Sequence, residues 1–172
     1  MQWTEFPGGP QLLEGLNVGS IDFGTTGETP PVFAQAAGAD LLYVAFEPPA
    51  PLSEAILLPK DSPIKTVAEL KGKKVALNKG SNVHYLLVRA LEDAGLKYSD
   101  IQPVYLPPAD ARAAFEKGAI DAWAIWDPFQ TAALSTEGVA GIVAVEQEAA
   151  FLDHRRRVAE ERDRVAAALA AR

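Results

Sequence analysis

The chain contains no cysteine among its 172 residues. That one absence removes disulfides, thiolate–zinc sites and any cysteine nucleophile together. Long apolar runs are missing too. Nowhere do about 18 apolar residues follow one another, the least that reads as a membrane-crossing helix. Positive charge is scarce: 16 Lys and Arg face 23 Asp and Glu, a formal net charge of −7. Nucleic acid and anionic membranes want a basic face, so neither is expected as a partner. A small anion stays open, because its site needs only local N–H donors. Only two histidines occur, His84 and His154, and no His-x3-His or His-Glu-x-x-His spacing exists. Neither a metal nor a cofactor is therefore expected. Met1-Gln2-Trp3-Thr4-Glu5 has no basic or apolar region of the signal-peptide kind, so no export signal is read there.

What is present reads as an ordinary globular α/β chain, 48% hydrophobic and 23% charged. Residues 1–17 suggest a short helix with Leu12, Leu13 and Leu16 on one face. Val18 to Phe23 suggests a strand, followed by the turn Gly24-Thr25-Thr26-Gly27. Thr29 caps a helix that opens with Pro30 and Pro31 and stops at Gly38. Leu41 to Phe46 is a continuous apolar run, suited to a strand covered on both faces. Another strand is expected at Glu54 to Leu58. Thr66 caps a single turn from Val67 to Leu70, and Lys74 to Asn78 is the next strand. Ser81 then caps the most regular helix, with Val83, Leu86, Leu87, Ala90, Leu91 and Ala94 on one face and Gly95 as the stop. A strand at Ile101 to Leu106, a helix at Asp110 to Lys117 and a strand at Ile120 to Trp126 complete the alternation. Strands alternating with helices imply a mainly parallel sheet covered on both faces. From Glu146 to Arg172 an Ala-, Arg- and Glu-rich stretch without Gly or Pro reads as a charged helix, with Glu160 and Arg164 one turn apart.

Two turns carry the chemistry. In Gly24 to Thr29 and in Asn78 to Asn82, backbone amides at a helix start are free to face a ligand, and the helix dipole favours negative charge there. Thr25, Thr26 and Ser81 add hydroxyls. Read singly, Thr29 and Ser81 are plain N-caps; two such turns, one in each half, point to an anion. Trp123, Trp126 and Phe129 could line a cleft or pack a core. Asp121 and Asp127 lie six residues apart on one strand, about 20 Å at the usual rise, too far for a two-carboxylate hydrolytic site. His84 follows Ser81 by three and reads as a packing or hydrogen-bonding group. No P-loop, dinucleotide fingerprint or Gly-x-Ser-x-Gly elbow is present.

From roughly residue 3 to residue 135 these segments resemble, in one order, the periplasmic aliphatic-sulfonate-binding proteins of ABC importers. The residues that carry it are Val18-Gly19-Ser20-Ile21-Asp22-Phe23-Gly24-Thr25-Thr26-Gly27, Pro31 to Asp40, Ser62 to Ala76, Lys79 to His84, Pro107 to Phe115 and Asp121 to Pro128. Taurine- and nitrate-binding relatives share that fold. The resemblance implies a type II periplasmic binding protein: two α/β lobes, a hinge, and a ligand trapped between them for delivery to a membrane permease. Carried over by motif, Thr25, Thr26 and Gly27 would hold a small organic sulfonate from one lobe, and Gly80, Ser81 and Asn82, with His84 close by, from the other. Trp123 and Trp126 would shape the cleft. On this reading 1–58 is a partial first lobe, 59–135 a complete second lobe, and 136–172 a return strand near Gly141 to Val145 plus the charged helix. Hinges are expected at 54–59 and 126–135. An incomplete first lobe implies weak or absent sulfonate binding and association between chains. The alternatives are a fragment without a tight ligand and a desulfinating enzyme on the same fold; the second lacks the activated nucleophile it needs.

Overall fold

The computed structural model describes residues 2–48, 50–136 and 138–142. They belong to two compact units, Met1–Leu41 with Leu52–Ala144, and Leu42–Pro51 with Val145–Arg172. The first unit is built on a five-stranded sheet of β1 (Glu54–Pro59), β2 (Lys74–Leu77), β3 (Gln102–Tyr105), β4 (Ala122–Trp126) and β5 (Val139–Ile142), in the order β3-β2-β4-β1-β5. Its helices are α1 (Gly9–Asn17), α2 (Thr29–Ala36), α3 (Asn82–Asp93), α4 (Pro108–Glu116) and α5 (Phe129–Leu134). The charged helix expected over 146–172, with His154, lies outside the described residues, as does part of the expected strand at 141–145.

The sheet is mixed. β2 runs parallel to β3 and β4, whereas β1 runs antiparallel to β4 and β5. A parallel pair needs a crossover element between its strands, and α3 and α4 supply it for β2, β3 and β4. β1 precedes that helical alternation and enters the sheet beside β4 in the opposite sense. It is a central strand, with Ala55, Ile56, Leu57 and Leu58 all buried. Alternation along the strands sorts the core. Ala55 and Leu57 of β1 and Trp123 and Ile125 of β4 meet Ala111 and Phe115 of α4 and Ala133 of α5. α3 lays Val83, Leu86, Leu87, Ala90 and Leu91 into the interior, the face its spacing predicts. Lys74 is tied to the start of β4 through its N–H and Asp121 Oδ2 at 2.7 Å, a structural use of that aspartate.

Two expected strands are not formed. Val18, Gly19 and Ser20 close α1 instead: the Ser20 N–H and Oγ both donate to the Gly15 carbonyl, and Gly19 takes φ 72°. Leu41 to Phe46 is not a strand among the described residues, and Leu42, Val44 and Phe46 are more than two-thirds exposed. The reason is common to both. A strand exists only by hydrogen bonding to a neighbour, and neither segment is among the paired strands of the described sheet. α5 arises within 126–135, where the sequence suggested a hinge.

Candidate functional site

The two turns singled out in the sequence come together. Asn82, the first residue of α3, joins them through a fully used carboxamide. Its Oδ1 accepts the N–H of Thr29 at the start of α2 (3.4 Å), and its Nδ2 donates to Glu28 Oε2 (2.7 Å) and to Glu54 Oε1 of β1 (2.9 Å). Gly27 lies so close to this carboxamide that a Cβ there would collide with it. That is why the first turn needs glycine although its φ is unexceptional. The first turn and the start of α1 are equally tight: Thr26 Oγ1 occupies the space a Cβ on Gly9 would need, and this hydroxyl is buried without a hydrogen-bond partner. Thr25, by contrast, is exposed.

The second turn is shaped by Gly80, whose φ of 78° disfavours any side chain. Its N–H donates to Nδ1 of His84 at 3.1 Å, so His84 is neutral at this nitrogen and carries its proton on Nε2. Burial, and then the nearby Lys79 charge, hold His84 below its ordinary pKa. Its ring stacks on Phe33 of α2 (centroids 5.9 Å, planes 6° apart) and meets Tyr98 and Tyr105 at 5.2 and 6.2 Å. Those two tyrosines share a hydrogen bond at 3.2 Å, and burial followed by that bond raises the Tyr98 pKa. Ser81 sits in the N-cap position but does not cap: its hydroxyl donates to the Asn78 carbonyl at 2.6 Å.

Several expectations about the site are therefore corrected. The amides of Thr29 and Gly80 are not free, since Asn82 and His84 supply their acceptors. The Ser81 hydroxyl is spent inside its own turn. Thr29 is not an N-cap but the first helical residue of α2, with Glu28 preceding it and no side-chain cap. Pro30 and Pro31 then remove two of the four N–H groups that a helix start normally leaves open. Trp123 is 1% exposed and packs on Phe115 at 6.0 Å, so its ring is core and not cleft. Trp126 keeps a place at the site: half-buried, in register with Glu54, its ring edge approaches Gly8. Gln11 of α1 reaches Asn78 there through weak amide–amide bonds of 3.4 and 3.5 Å.

Sequence reading missed the acids. Glu28 and Glu54 converge on one amide nitrogen, and burial, with Glu28 adding repulsion, pushes the Glu54 carboxyl up to about 7. Glu28 stands inside the first turn and could have been weighed there. Glu54 stands 26 positions further on, with no motif to flag it. Among the described residues no group of three or more His, Asp or Glu side chains is placed to hold a metal. Two clefts elsewhere, one lined by Leu58, Lys60 and Ile64 and one by Arg112, Glu116 and Thr136 with the buried Trp123 at its base, include no residue of either turn.

Residues 6–158 match the family described as NMT1/THI5 like. The chain belongs to that family. Within it, the chain is 67% identical over 139 residues to an Escherichia coli (strain K12) protein named for binding aliphatic sulfonates, covering 81% of this chain and 44% of that one. The crystal structure of the periplasmic aliphatic sulphonate binding protein SsuA from Escherichia coli superposes with a TM-score of 0.72 at 66% identity, over 81% of this chain and 46% of that one. The alkanesulfonate-binding protein SsuA from Xanthomonas axonopodis pv. citri, bound to MOPS, gives 0.79 at 58% identity, with 81% and 48% covered. A taurine-binding periplasmic protein of E. coli is 28% identical over 128 residues. These relatives are binding proteins, and the chain spans about half their length. The α/β fold read from the sequence is theirs.

Proposed function

We propose that this chain carries one anion-holding corner of the substrate-binding component of an ABC importer for aliphatic sulfonates. The observation that carries the reading is the meeting of the two turns at Asn82. The start of α2 meets the start of α3 through the Thr29 amide on Asn82, and the Gly80 amide lies in the turn that precedes α3. Asn82 Oδ1 and His84 Nδ1 occupy those amides as a sulfonate oxygen would, so a ligand enters by displacing them. Trp126 lies beside the corner for the organic part, and Thr25, Thr26 and Gly27 form its other wall. The names of the relatives support the sulfonate class, and MOPS is itself an alkanesulfonate. The relatives are periplasmic, and a membrane permease would be the partner of the complete receptor. Nothing at the corner needs a proton transferred to a substrate, which favours binding over catalysis.

Two acceptors that must be displaced argue for weak binding, on the order of 1 mM, equivalent to about −4 kcal/mol. The test is a titration of the isotopically labelled chain with methanesulfonate, followed by amide chemical shifts. Saturable shifts at Thr29, Gly80, Asn82 and the Trp126 indole are expected. Shifts scattered over the surface, or none, would refute the site.

A further inference from the structure

We infer that Glu54, together with Glu28, determines the charge of the guest this corner admits: an anion enters with one proton taken up from solvent by the pair. The inference deepens the anion-site reading above and rests on it. Its geometry is the Asn82 carboxamide, whose two N–H groups each serve one carboxylate, 2.7 Å to Glu28 and 2.9 Å to Glu54, while its oxygen holds the Thr29 N–H. An anion that takes the Thr29 amide must move Asn82. It thereby removes the donor the two carboxylates share and sets a third negative group beside them. Like charges so placed cannot all stay ionised, and the half-buried Glu54 yields first. Among the described residues, the groups that face Glu54 include no cation. Glu28 comes from the turn before α2, Asn82 from α3 and Trp126 from the paired strand β4, and Glu28 is the charged one. The raised Glu54 carboxyl, about 7 without ligand, agrees with this placement.

Two consequences follow for ligand choice. Above about pH 7 a monoanion such as a sulfonate is admitted with one proton and leaves the corner no more negative than before. A dianion such as sulfate adds a net charge and is disfavoured. Binding also depends on pH in a defined direction. Below about 7 Glu54 already holds its proton in the free chain, so affinity is flat. Above about 7 each bound anion draws one proton, and Kd rises up to about tenfold per pH unit. His84 lies at the same turn, but its pKa is lowered from 6.5, so its own titration falls below this window.

The experiment is the amide-shift titration with methanesulfonate, and separately with sulfate, at pH 5.5, 7 and 8.5, for the native chain and Glu54→Gln. The native chain should bind methanesulfonate about tenfold or more weaker at pH 8.5 than at 7. It should prefer methanesulfonate to sulfate. Glu54→Gln should bind equally at all three values and lose most of that preference. Site-localised binding independent of pH in the native chain, or a pH slope kept by Glu54→Gln, overturns the inference and leaves the anion site standing. No localised shift at any pH removes the site itself, and the inference with it. A carboxyl carbon titration of the native chain serves if the variant does not fold: the Glu54 midpoint should rise on saturation with methanesulfonate. A midpoint that stays put overturns the proposal.

Discussion

At the scale of single residues, one neutral carboxamide decides how the corner works. Asn82 offers two donors and one acceptor, and all are used on three different segments. Without it, two carboxylates would face each other and the Thr29 amide would lose its acceptor. Glu54 is the group through which this arrangement reaches stability. Its folded pKa of about 7 stands above the ordinary 4.5, so between those values the folded chain binds more protons than the unfolded one. Stability from this group is therefore full below about 4.5 and is lost as pH rises to about 7, by roughly 3 kcal/mol at most. Urea unfolding at pH 4.5, 6 and 8 should show this decline in the native chain, and Glu54→Gln should flatten it. A native chain that gains stability across the interval would contradict the burial of this carboxyl.

At the scale of elements, regular amphipathic pattern and tertiary outcome agree where the element supplies its own hydrogen bonds. α3 is the clear case: Val83, Leu87 and Leu91 on its inward face are wholly buried. Leu87→Ala should cost about 3 kcal/mol through lost transfer energy and the cavity left behind, measured as a lower urea midpoint with an unchanged slope. The turn at Val67–Leu70 was equally legible, because Thr66 and Glu69 form a local capping pair, with the Thr66 N–H on Glu69 Oε2 at 2.9 Å. Strands were less so. The run Leu41 to Phe46 is as apolar as β1 or β4, yet only the latter two are strands of the described sheet. Trp123 illustrates the same limit for a side chain: the sequence left it between cleft and core, and which face of β4 met α4 was not legible there.

At the scale of the whole molecule, the chain matches relatives about twice its length. Several large apolar side chains are exposed. Phe23, Val32 and Phe33 around the first turn and α2 are 64%, 55% and 50% exposed. Single exposed apolar residues are ordinary, but several around one short helix favour association. Sedimentation of the chain from about 5 to 200 µM should show a concentration-dependent shift above the monomer mass. A constant monomer mass over that range would argue against it.

The sequence by itself determined the α/β class, the helix faces, the two turns and the absence of thiol chemistry. Each of these follows from local spacing and residue type. Only the tertiary structure decided that the turns meet at one asparagine, that their amides are already held by Asn82 and His84, and that a glutamate from a central strand stands beside them. Hydrogen bonds and charges between distant segments depend on which strands neighbour one another, and no local pattern encodes that choice.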